Sequence, residues 1–233
     1  MSNHRVYISA STQKENVGAG AYGTEQDRMQ YLADRIKYWL ETQKGKFTVF
    51  RNSPGWTLQQ TVADCNKLAC AAFVDYHTDA GPAKAQGTTA FYNSPGGCVL
   101  ANTVYKYAAP LSLGVDRGVK LDTVLYPNGL YVIRNTQPPA TLIEMFFHTN
   151  LDEVDYFLKN TEVFAKEQAK AFCEFFGEKW TEIAYTTPQT KLTWEQILDK
   201  VSSNTEDWKK LARTSTGLAK FLPELIVKIY ESR

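Results

Sequence analysis

The sequence predicts an α/β fold: a mixed, mostly parallel twisted sheet flanked by helices on both faces, with a small C-terminal helical segment. Three observations carry that expectation. Short apolar runs rich in Val, Ile, Phe and Tyr alternate with stretches of helical periodicity through the first two thirds of the chain. The run Ala71 to His77 is apolar on successive positions, as a strand covered on both faces is. The alternation stops near Trp180, and a Pro-containing polar stretch, Tyr185 to Thr190, separates it from a tail with helical spacing only.

Val6 to Ser9 reads as the first strand, running into a polar, Gly-rich loop from Ser11 to Gly23. Thr24 then caps a helix, because its hydroxyl accepts from the orphan amides of a first turn. Met29, Leu32, Ala33, Ile36 and Leu40 recur on one face of it. Phe47 to Arg51 is a second strand, closed by the turn Asn52-Ser53-Pro54-Gly55. Helical spacing returns from Thr57 to Cys70, and Ala71 to His77 is the third strand. Thr88 to Tyr92 and Leu130 to Ile133 read as strands on either side of a helix from about Gly97 to Ala108. Ala140 to Phe147 is a further apolar strand. Asn150 caps a short helix, Leu151 to Leu158, and a longer one follows from Thr161 to Phe176. These elements define a domain of residues 1–182, a linker of residues 183–191 and a helical segment of residues 192–233. Trp194, Trp208, Phe221 and Tyr230 in that segment suit a small core or a glycan-contacting face, and its helices suit a dimer contact.

Composition narrows the function. The 233 residues are 43% hydrophobic and 22% charged, which excludes a disordered chain. Lys plus Arg number 26 against 25 Asp plus Glu, so neutralising a nucleic-acid backbone is not the main task. No window approaches the roughly 18 apolar residues of a membrane span. The segment Met1 to Ser9 lacks the apolar core of a signal peptide, so synthesis in a cytoplasm is expected. Four cysteines fall in no metal-ligand spacing and read as buried free thiols.

In an open α/β sheet, reactive groups collect beyond the carboxyl ends of the strands. Three segments meet that condition: Ser11 to Glu25, Val74 to Ala80 and Leu142 to Asn150. They offer Glu25 at a helix start, His77 at a strand end and Glu144 inside an apolar strand. Zinc takes imidazole nitrogen and carboxylate oxygen, and a further carboxylate takes a proton from water. Each residue also has a plain structural reading. His77 is one of three histidines and a lone His is commonly structural, whereas Glu25 suits any helix N-terminus. Glu144 resists that reading, because a carboxylate between Ile143 and Met145 is costly unless paired or used. His4 reads as exposed, and His148 as a surface or supporting residue.

Taken with their order, several blocks resemble the zinc-dependent N-acetylmuramoyl-L-alanine amidases of phage endolysins and bacterial autolysins. The blocks are Tyr22-Gly23-Thr24-Glu25, His77-Thr78, Arg117-Gly118-Val119-Lys120, Leu130 to Arg134, Leu142-Ile143-Glu144 and Phe147 to Asn150. The resemblance covers about residues 5–180. It implies Zn2+ as cofactor, peptidoglycan as partner, Glu25 and His77 as zinc ligands, and Glu144 as the catalytic carboxylate. It also implies hydrolysis of the amide between the lactyl group of muramic acid and L-alanine, at the cell wall after release. One departure stands out. The family's first ligand is a histidine soon after the first strand, and here the loop reads Ser11-Thr12-Gln13-Lys14-Glu15-Asn16. Gln13 is the positional substitute, with Glu15 as a second candidate, and Asp79 stands where the family has Asn. A wall-binding protein that keeps the amidase fold without turnover is the alternative this departure raises.

Overall fold

The sheet is built around three strands whose residues are buried on both faces. The computed structural model describes residues 3–114 and 116–183. Its strands are β1 (His4–Ala10), β2 (Phe47–Arg51), β3 (Ala72–Asp79), β4 (Thr89–Tyr92), β5 (Val119–Leu121) and β6 (Ala140–Phe147), in the spatial order β2-β1-β3-β6-β4-β5. All pairings are parallel except β4 with β6. Every residue of β6 is buried, as a central strand covered by helices requires.

The helices are α1 (Glu25–Thr42), α2 (Leu58–Lys67), α3 (Pro95–Ala108), α4 (Tyr131–Asn135) and α5 (Leu151–Phe175). α1, α3 and α5 cover one face, where Ile8, Val74, Ile143, Leu32, Val104 and Phe164 share a core. α2 and α4 cover the other, around Tyr7, Phe73, Leu142, Val62 and Ile133. Local chemistry starts each long helix. Thr24 accepts from the Asp27 amide, Thr57 and Gln60 form a capping box, and Asn150 accepts from the amides of Asp152 and Glu153.

Three expectations are corrected, and one strand is added. Leu130 to Ile133 is no strand: Tyr131–Asn135 is helical. An apolar run of four residues carries no period to tell the two apart. The tertiary setting decides, because the buried Asp122 carboxylate accepts from the Leu130 amide at 2.9 Å and from Arg134 Nε at 2.6 Å. The two helices expected after Asn150 are one. Asn160 and Thr161 bond back to the carbonyls of Tyr156 and Phe157, both at 2.8 Å, instead of capping a new start. Val119–Leu121 is a short edge strand that its sequence did not announce. His4 is half-buried, stacked on Phe176 and 3.0 Å from Glu178. The four cysteines are free thiols, three of them buried. The linker and tail expectations fall on residues outside the described ones.

The start of α5 is tied to the sheet by Glu153, whose carboxylate accepts from the amides of Gly87 at 3.0 Å and Phe147 at 2.8 Å. Glu153 is buried, so removing it takes a buried acceptor away from both amides. Glu153→Ala is expected to lower stability by about 2–4 kcal/mol. Urea denaturation checks this, and a change below about 1 kcal/mol would mean that the amides find water.

Candidate active site

The winding of the chain reverses between β1 and β3. From β1 the chain crosses on one face to β2, and from β2 it returns on the other face to β3. The loop after β1 and the end of β3 therefore diverge at the carboxyl edge and leave a crevice between them. β1 and β3 stay paired as far as Ser11, whose amide donates to the Tyr76 carbonyl at 2.9 Å. The loop then folds over the start of α1. Its carbonyls at Asn16 and Gln13 accept from the amides of Glu25 and Gln26, at 2.9 and 3.3 Å. Gly18 allows the close approach: a Cβ there would lie 2.2 Å from the Tyr22 ring and 2.8 Å from the His148 carbonyl.

This geometry brings Gln13, Glu25 and His77 together. Glu25 Oε1 lies 3.0 Å from His77 Nδ1 and accepts from the Thr78 amide at 3.2 Å. Glu25 Oε2 accepts from Asn16 Nδ2 at 2.7 Å. The same Asn16 nitrogen donates to Gln13 Oε1 at 2.7 Å, and Gln13 Nε2 lies 3.4 Å from His77 Nδ1. Glu144 is the register partner of His77, so the two side chains rise side by side on one face of the sheet. Immediately beyond them the β3–β6 register shifts, a bulge that ends the ladder at the site. The Glu15 carboxylate points to solvent, 86% exposed beside Lys14, and takes no part. His148 is buried behind the site between Thr78 and the Tyr22 ring.

Burial sets the charges. Glu144 Oε2 has no hydrogen-bond partner, and burial pushes the carboxyl up to about 8, with Glu25, Asp79 and Asp75 adding repulsion against the attraction of His77. Burial alone would raise Glu25 as well, but its bonds to His77, Asn16 and Ser11 hold it below the usual range. Burial would lower His77, yet Asp75 and Glu25 on either side hold it well above an ordinary imidazole.

The Glu144 shift has a sign that can be measured. Its unfolded value is 4.5, so between there and about 8 the unfolded chain gives up a proton that the folded chain keeps. Its contribution to stability therefore falls as pH rises through that window and levels off above it. With chelator present, Glu144→Gln is expected to gain thermal stability relative to the parent as pH rises across it. A difference that stays flat with pH would contradict the burial argument.

Among the described residues no three His, Cys, Asp or Glu side chains gather as a metal site. The donors that do converge are one carboxylate, one imidazole and one amide. Zinc bonds of about 2.0–2.1 Å in a tetrahedron put donors roughly 3.3 Å apart. The 3.0 Å between Glu25 Oε1 and His77 Nδ1 matches that spacing, and the 3.4 Å approach of Gln13 to the same nitrogen is made by its amide Nε2. In spacing the set fits zinc. In chemistry it is a weak set, because Gln13 must turn its amide to present Oε1 and a neutral amide is a poorer donor than imidazole. Asn16 and Asp75 were not singled out from the sequence. The signal for Asp75 was the one that marked Glu144, a carboxylate inside an apolar strand.

A family model described as N-acetylmuramoyl-L-alanine amidase matches residues 6–175. The uncharacterized protein YqiI of Bacillus subtilis is 28% identical over 156 residues, 64% of this chain and 73% of that protein. Among solved structures, the catalytic domain of CwlV, an N-acetylmuramoyl-L-alanine amidase from Bacillus (Paenibacillus) polymyxa var. colistinus, superposes with a TM-score of 0.67 at 24% identity. That match covers 76% of this chain and 99% of CwlV. An N-acetylmuramoyl-L-alanine amidase from Clostridium difficile 630 gives 0.66 at 20% identity, covering 77% and 100%. The catalytic domain of the CD27L endolysin gives 0.61 at 20%, covering 76% and 99%. At these identities the superpositions establish a shared fold.

Proposed function

The chain belongs to the N-acetylmuramoyl-L-alanine amidase family, and from that premise we propose that it is a zinc-dependent peptidoglycan hydrolase. The bond cleaved is the amide between the lactyl group of muramic acid and the L-alanine of the stem peptide. The observation that carries the reading is Glu144: a buried carboxyl with an unpartnered oxygen, standing beside His77 at the carboxyl edge of the sheet.

Glu25, His77 and, through its amide oxygen, Gln13 are the residues that would hold zinc. When bound, zinc supplies a Lewis acid for the scissile carbonyl and acidifies a water. Glu144 does the proton work. It takes a proton from the attacking water as the C–O bond forms, then delivers it to the alanine nitrogen as the C–N bond breaks. A pKa raised toward neutrality suits both halves of that task, because the carboxyl must both accept and release near the working pH. Asn16 steadies the Glu25 carboxylate from the side of Oε2. The wall is the place of action in this reading. No described helix is long and apolar enough to cross a membrane.

A second reading, a wall-binding protein without turnover, draws on the amide that stands where an imidazole is expected. Zinc uptake separates the two. The amidase reading expects one zinc per chain, with an absorption-edge spectrum of one imidazole and otherwise oxygen donors. A chain that takes up no zinc at saturation would favour the silent reading.

A further inference from the structure

The side of the His77 ring turned away from Glu25 is occupied by Asp75. The two residues are two apart on β3, so both side chains rise from the same face. Asp75 Oδ2 lies 3.2 Å from His77 Nε2, and Oδ1 has no hydrogen-bond partner. The carboxylate is 2% exposed. It borders a narrow polar cavity shared with Ser9, Ser11, Asn52, Thr61 and His77. A buried carboxylate with half of its acceptor capacity unused destabilises a core, and an apolar residue of similar size would serve packing better. Its one directed contact is with the imidazole.

We propose that Asp75 is a positioning residue: it holds the Nε2–H of His77 and so presents Nδ1 to the side shared by Glu25 and Gln13. A carboxylate behind a ligating imidazole fixes its tautomer and ring angle and strengthens the opposite nitrogen as a donor. That strengthening counts for more in this chain than in a site with two imidazoles, because the third donor is a neutral amide. The assignment rests on the reading of His77 as a zinc donor, while the ring orientation itself is measurable without metal.

Two readouts on the full chain test it. The first is zinc affinity, by competition with a chromophoric chelator, for the parent, Asp75→Asn and Asp75→Ala. The second is the imidazole NMR signal of His77, assigned by its loss in His77→Ala. Asp75→Ala is expected to weaken zinc binding by about ten- to a hundredfold and to remove the hydrogen-bonded Nε2 proton signal. Asp75→Asn keeps an acceptor without the charge and is expected to fall between, with its melting temperature close to the parent. Parent-like zinc affinity and an unchanged ring signal in Asp75→Ala would overturn the proposal. If the parent itself binds no zinc, the cofactor reading fails separately, and the ring signal alone decides: loss in Asp75→Ala supports the positioning role, and persistence overturns it.

Discussion

Glu144→Gln is expected to reduce peptidoglycan cleavage by about 10²–10⁴-fold while leaving zinc uptake intact. Gln fills the same volume between His77 and Thr89, the two register partners of Glu144, so the sheet has no reason to move. What it lacks is the capacity to take a proton from water and return it to nitrogen. The substitution also removes a buried ionisable group with an unpartnered oxygen, so the folded chain no longer carries the cost of burying its charge. Loss of turnover with unimpaired folding and metal binding is the signature of a proton carrier. Turnover within about tenfold of the parent would move that role to another carboxylate.

Gln13→His is expected to tighten zinc binding by on the order of tenfold or more, because imidazole nitrogen replaces a neutral amide oxygen. The backbone already delivers residue 13 to the site: its carbonyl accepts from the Gln26 amide, and its side chain reaches within 3.4 Å of His77 Nδ1. The new ring also ends the pairing of Gln13 Oε1 with Asn16, leaving Asn16 to serve Glu25 alone. Chelator competition on both proteins measures the gain. Unchanged affinity would show that residue 13 is not a donor, and Glu15 is too far into solvent to replace it.

Much of this architecture was legible because burial leaves a mark in sequence. The all-apolar β6 and the single apolar stripe of α1 each encode what covers them. Glu144 was legible for the opposite reason, as a charge where the surroundings forbid one. β5 and α4 were not legible, since three to five residues hold no period and their conformation is set by partners distant in sequence, such as Asp122 for α4. Gln13 became a candidate through its place in the resemblance alone. Asn16 was invisible, because its role is to bridge Gln13 to Glu25 across a loop whose path no local rule specifies.

Cleavage of the lactyl–alanine amide is read by end-group analysis of purified peptidoglycan treated with the zinc-loaded chain. New amino-terminal L-alanine is expected in step with free muramic acid carboxyl groups, both absent after treatment with Glu144→Gln. Walls that release a different end group, or none at saturating zinc, would contradict it.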